Sequence, residues 1–78
     1  MNLTIEETGA QAGKKAAEIY KAREQDGTHE DIRRALPDAV KAASAEAARY
    51  QDSDSEHERA NAIYWASYAE FFELGIKN

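Results

Sequence analysis

The chain is 78 residues long with no cysteine. A domain of this size buries only about 60% of the surface its unfolded form exposes, and neither a disulfide nor a thiolate metal site is available to support it. The net charge of −5 argues against a general nucleic-acid binder, which needs a basic face; the excess lies after residue 51, mostly at Asp52, Asp54, Glu56 and Glu58.

Sixteen alanines, one proline and four glycines favour helix throughout. The opening residues, Met1 to Thr8, carry Glu6 and Glu7 and no basic start, so no signal peptide is expected. No apolar run approaches the ~20 residues that span a bilayer, and a cytoplasmic location is the expectation.

Thr4 and Glu7 have capping-box spacing, and the first helix is predicted over 5–25. Its inward stripe reads Ile5, Gly9, Ala12, Ala16 and Ile19, extending to Tyr20 and Arg23. The small residues Gly9, Ala12, Gly13, Ala16 and Ala17 imply a close neighbour. Two interior glycines cost on the order of 1 kcal/mol each relative to alanine, and close packing is the natural compensation. Gly27 is the expected stop and Thr28 the next cap.

The second region spans 28–51, with Ile32, Leu36, Val40, Ala43, Ala47 and Tyr50 on one stripe. Pro37 lacks an N–H and crowds the carbonyl four residues back, so the helix is expected to break or kink there. The favoured arrangement is a short helix over 29–35 and a longer one over 37–50; one kinked helix is the alternative. Gln51 to Asp54 then forms a polar turn.

The last helix, Ser55 to Ile76, holds five of the seven aromatic residues: Tyr64, Trp65, Tyr68, Phe71 and Phe72. Ser55 and Glu58 suggest a second capping box, and Gly75 a left-handed stop. Ala60, Tyr64, Ser67, Phe71 and Leu74 form one face, and Trp65, Tyr68 and Phe72 an adjoining one. Together these exceed the apolar stripe of ~100° that an ordinary surface helix carries. The helix is therefore central to the core, or it keeps rings for another chain. The fold class expected is all-α, a small three-helix antiparallel bundle forming a single helical domain over 1–78.

No constellation carries a chemistry. Phosphate loops, dinucleotide fingerprints, nucleophile elbows and zinc-protease motifs are absent, and His29 and His57 each sit in a first helical turn with nothing to activate them. The D-x-D-x-E run from Asp52 faintly resembles a calcium loop, but His57 stands at its sixth position and Ile63 at its twelfth, where glycine and glutamate are required. No catalytic residue, cofactor or metal is expected.

Tyr64, Trp65, Tyr68 and Phe72 are residue types enriched at interface centres, and Asp52, Asp54 and Glu56 add an acidic turn beside them. The expected function is a small acidic module acting stoichiometrically on a protein partner, in the manner of inhibitors and adaptors, including phage- or plasmid-encoded ones. A second copy of the chain is the other candidate partner. The alternative is a small dimeric DNA-linked regulator using Arg33, Arg34 and Lys41, although the helix after Pro37 offers poor groove chemistry.

Overall fold

The computed structural model describes residues 3–27 and 30–77, leaving out the side chains of residues 26 and 30–33. Three helices follow in order: α1, Ile5–Asp26; α2, Glu30–Ala48; and α3, Glu56–Lys77. The described residues contain no strand, and the arrangement is an all-α three-helix bundle. The cap expected at Thr28, and His29 with it, lie outside the described residues.

α1 begins as its sequence predicts. The Thr4 hydroxyl accepts the Glu7 N–H at 3.1 Å, and the Glu7 carboxylate accepts the Thr4 N–H in return. It ends at Gly27, whose φ of 68° is left-handed and whose N–H donates to the Arg23 carbonyl at 3.0 Å. An L-residue adopts that conformation only with strain.

α2 is one helix through Pro37, so the break favoured on sequence grounds does not occur. Proline leaves the Arg33 carbonyl without its intrahelical donor. The stripe holds the helix in place regardless: Val40 and Ala47 are buried, and Leu36 packs on the core. Tertiary packing here outweighs a local penalty of about 3 kcal/mol.

The turn before α3 differs from a simple capping box. Ser55 Oγ accepts the Glu58 N–H at 3.4 Å, but the Glu58 carboxylate turns to Ser53, whose hydroxyl donates to it at 2.8 Å. Ser53 Oγ also accepts the Ser55 N–H at 3.1 Å, and the Ser53 carbonyl accepts from the Arg59 guanidinium at 2.6 Å. Ser53 thus takes the place that Glu58 holds in the usual reciprocal pair.

Gly75 does not end α3, which runs on to Lys77. A Cβ at Gly75 would collide with the Ala17 side chain. One at Gly9 would strike the Tyr64 carbonyl, and one at Gly13 the Tyr68 carbonyl. Gly9, Gly13 and Ala17 are buried and four residues apart, so they form one edge along which the backbones of α1 and α3 touch. Partners rise together along both helices, so α1 and α3 run parallel.

This edge corrects the expected α1 stripe. Ile5 and Ile19, read as inward, are 46% and 47% exposed. α3 is the central element: it packs along α1, less extensively on α2, and α1 and α2 touch each other little. The core shared by all three is small, namely Ala17, Val40 and Phe72, with Tyr20, Leu36 and Ile76 against it. The radius of gyration of 13.5 Å exceeds the about 11.5 Å expected of a compact chain of this length.

Candidate functional site

The rings of α3 form a connected series. Phe72 is the innermost, 2% exposed, with Tyr20 edge-on at 5.8 Å and Tyr68 stacked at 6.4 Å. Tyr68 lies 4.9 Å from Trp65 and 6.0 Å from Tyr64, and Tyr64 meets Trp65 edge-on at 5.7 Å. Tyr64, Trp65 and Tyr68 are half-buried. The series therefore starts in the core and surfaces toward the N-terminal half of α3. Phe72, expected at the partner surface, is instead buried as the core anchor.

Why the outer rings stay half-open follows from how α1 and α2 sit. On α1, Ala16 and Tyr20 pack on the core side shared with α2, whereas Lys14, Glu18 and Lys21 line the opposite flank. Helical spacing puts Ile5, Ala12 and Ile19 with Ala16. On α2, Leu36 faces the core and Ala43 continues its stripe, while Tyr50 lies in the turn beyond the helix end. α1 and α2 make little contact with each other, and Tyr64, Trp65 and Tyr68 are left half-exposed. Ile5, Ile19 and Tyr50 are exposed, at 46%, 47% and 41%, as are Leu3, Ile63 and Leu74.

Burial raises the Tyr68 hydroxyl pKa above its ordinary value of 10.0, with the Tyr64 hydroxyl adding to the effect. Below that value the Tyr68 phenol is uncharged, and it presents an apolar ring with a hydroxyl tip.

Asp52, Asp54 and Glu56 are exposed. Because α1 and α3 are parallel, their N-termini share one end of the bundle, tied by the Ser67 hydroxyl donating to the Glu6 carbonyl at 2.7 Å. Glu6, Glu7, Glu46, Asp52, Asp54, Glu56 and Glu58 cluster there against Arg49 and Arg59, and these residues account for the whole net charge of −5. Arg49 is engaged by Glu46 at 3.3 Å. The sequence set the acids of the last turn apart, but the contribution of Glu6 and Glu7 appears only once the chain is folded.

Ser67 is a residue whose role the sequence concealed. It is 5% exposed, and its hydrogen bond joins residues 61 apart in the chain. Its one visible signal is a lone hydroxyl within an apolar arc.

Two grooves flank α3. One, of about 430 Å³, lies between α2 and α3 and is lined by Pro37, Val40, Lys41, Ala69, Glu73 and Ile76 among others. The other, of about 390 Å³, lies between α1 and α3, and there the Lys14 ammonium sits 5.1 Å above the Phe71 ring. Glu73 accepts from Lys77 at 2.9 Å, and that contact holds its carboxyl below the usual range.

Of the cationic residues set aside for DNA, Arg34 and Lys41 are exposed on α2, and the Arg33 side chain lies outside the described residues. Lys41 shares its groove with Glu70 and Glu73. Among the described residues no group of three or more His, Asp or Glu side chains is placed to hold a metal ion, and no helix is long and apolar enough to cross a membrane. No family model, curated protein or solved structure matches this chain.

Proposed function

We propose that the chain is a non-catalytic protein-binding module of the cytoplasm that acts stoichiometrically, in the manner of an inhibitor or adaptor. The supporting observation is the outer half of the ring series: Tyr64, Trp65 and Tyr68 are held in mutual contact yet half-exposed, beside the acidic end of the bundle. Aromatic side chains of this kind carry most of the energy at interface centres. They are also braced before binding, which reduces the ordering cost of association.

The test is Trp65→Ala. Trp65 is half-buried and outside the shared core, so the variant keeps its helical circular dichroism and a cooperative melt. Chemical cross-linking in extract of the native host is expected to join the wild-type chain to a protein at one-to-one stoichiometry, and the variant to lose that product. A hot-spot ring is worth about 2 kcal/mol or more, roughly a thirtyfold loss in affinity. A variant that unfolds, or a product that persists undiminished, overturns the reading. A phage or plasmid origin fits the small size and acidic composition.

A further inference from the structure

We propose that the flank of α1 and α3 on which Phe71 and Leu74 lie is the contact surface for a second copy of this chain, packed antiparallel about a two-fold axis. The inference goes beyond the reading above, because it uses a different face. Trp65 is nine residues from Leu74, about two and a half helical turns, and so leaves α3 on the opposite side.

The surface is the groove of about 390 Å³ between α1 and α3, where Lys14, Glu18 and Lys21 of α1 stand beside Phe71 and Leu74 of α3. Leu74 is 50% exposed. Ile63 lies eleven residues earlier, about three turns, so it continues the same side of α3, and it is 48% exposed. Half-buried Phe71 falls between them. This is a continuous apolar strip on the outside of the bundle.

The available area is sufficient. The chain exposes 5802 Å². A folded monomer of 8.7 kDa exposes about 4,700 Å² by the usual mass scaling, so roughly 1,100 Å² is surplus. A stable protein interface takes about 800 Å² from each partner.

Charge selects the occupant. Glu7 lies seven residues before Lys14, and Glu56 seven before Ile63, so both acids belong to this flank. α1 and α3 are parallel, and the flank is therefore acidic at its N-terminal end and carries Lys14 and Lys21 further along. Glu18 is the one acid among the residues that line the groove. Glu7 caps through Oε1, which leaves its second carboxylate oxygen outside those contacts.

The heights of these groups fit one axis. Gly9 abuts Tyr64 and Gly13 abuts Tyr68, so a residue of α1 is level with the residue 55 later in α3. Glu56 is then level with position 1, and the midpoint between it and Lys21 falls at position 11. The midpoint between Glu7 and Lys14 falls at 10.5. A two-fold axis crossing beside Ala10 therefore sets Glu7 against Lys14 of the second copy, and brings Glu56 to the height of that copy's Lys21. Such a surface is complementary to itself, as an isologous contact requires.

The experiment is sedimentation equilibrium of the full chain across concentration. A monomer–dimer equilibrium is expected, and raising salt from about 50 mM to about 500 mM is expected to weaken it several-fold. Leu74→Glu and Ile63→Glu, each at an exposed position, are expected to raise the dissociation constant about tenfold or more while helical circular dichroism is retained. Ile19→Glu, equally exposed but on the other side of α1, is expected to leave it unchanged. Lys21→Glu and Glu56→Lys are each expected to self-associate more weakly than the wild type, and an equimolar mixture of the two to recover a one-to-one dimer. These side chains sit near opposite ends of their own bundle, so the recovery reads contact between copies.

A chain that stays monomeric at every concentration overturns the inference. So does a dimer indifferent to both Leu74→Glu and Ile63→Glu, one dissociated by Ile19→Glu, one strengthened by salt, or a mixture that fails to recover. The reading above fails separately, through a cross-linked product that survives Trp65→Ala.

Discussion

Replacing Gly13 by alanine sets two effects of opposite sign against each other. In an isolated helix, Gly→Ala is stabilising by about 1 kcal/mol, because alanine surrenders less backbone entropy. Here the new Cβ would collide with the Tyr68 carbonyl oxygen and stand 3.1 Å from the Phe72 nitrogen. Both atoms belong to the backbone of a helix packed on two sides, so no rotamer change relieves the overlap. The helices must part, which loosens Gly9 against Tyr64 and Ala17 against Gly75 on the same edge. Overpacking of this kind costs typically about 1–3 kcal/mol, and the strained contact here is with backbone, so the upper part of that range applies. The net expectation is a destabilisation of about 1–2 kcal/mol after the propensity gain is subtracted. For a domain of this size that lowers Tm by roughly 5–15 °C. Thermal unfolding followed at 222 nm reads it directly. A rise in Tm would refute the reasoning, since it would mean that propensity wins and that the two backbones are not in contact at Gly13.

Pro37→Ala is expected to raise Tm: it returns a donor to the Arg33 carbonyl and removes a helix penalty of about 3 kcal/mol, part of which is lost again to the greater freedom of the unfolded chain. A fall would show that the proline ring contributes packing in the α2–α3 groove beyond its backbone penalty. The Tyr68 hydroxyl has a folded pKa raised above 10.0, so the folded state holds that proton more tightly than the unfolded state. Its contribution is therefore fully present below pH 10 and is lost as pH climbs through the raised folded value. Denaturant unfolding as a function of pH should show an alkaline decline in stability that is shallower in Tyr68→Phe; identical slopes would remove the assignment.

Local signals in the sequence were reliable where a single residue has a single job. Thr4 with Glu7, and Gly27 at its positive φ, act within one turn of backbone and look the same in any tertiary setting. Tertiary decisions were less legible. Gly75 and Gly27 are alike as letters, but one relieves an approach by Ala17 and the other turns the chain. Pro37 has the same sequence signature in a broken helix and in one that continues through it, anchored by Val40 and Ala47. On α1 the expected stripe ran through Ile5, Gly9, Ala12, Ala16 and Ile19, and the small residues were rightly read as room for a close neighbour; the edge that touches α3 runs through Gly9, Gly13 and Ala17 and leaves Ile5 and Ile19 exposed. The ring cluster itself was legible, but its depth was not: Phe72 at the bottom and Trp65 near the top differ only in where α1 and α2 happen to cover them.

The hydrogen bond from Ser67 to Glu6 also bears on the order in which the molecule assembles. α2 and α3 are neighbours in sequence and meet after closing one short turn. The α1–α3 edge is the more extensive contact, yet it joins segments about sixty residues apart, and its formation has to wait on a longer closure whose entropic cost rises with separation. Made in chain order, α1 reaches α2 first and finds little to hold. Its glycine edge stays bare until α3 has been synthesised. The late step in folding is then the docking of α1 onto a formed α2–α3 hairpin, while in the native state the smaller interface is the one that α2 makes, so an opening that loosens α2 costs less than one that releases α1.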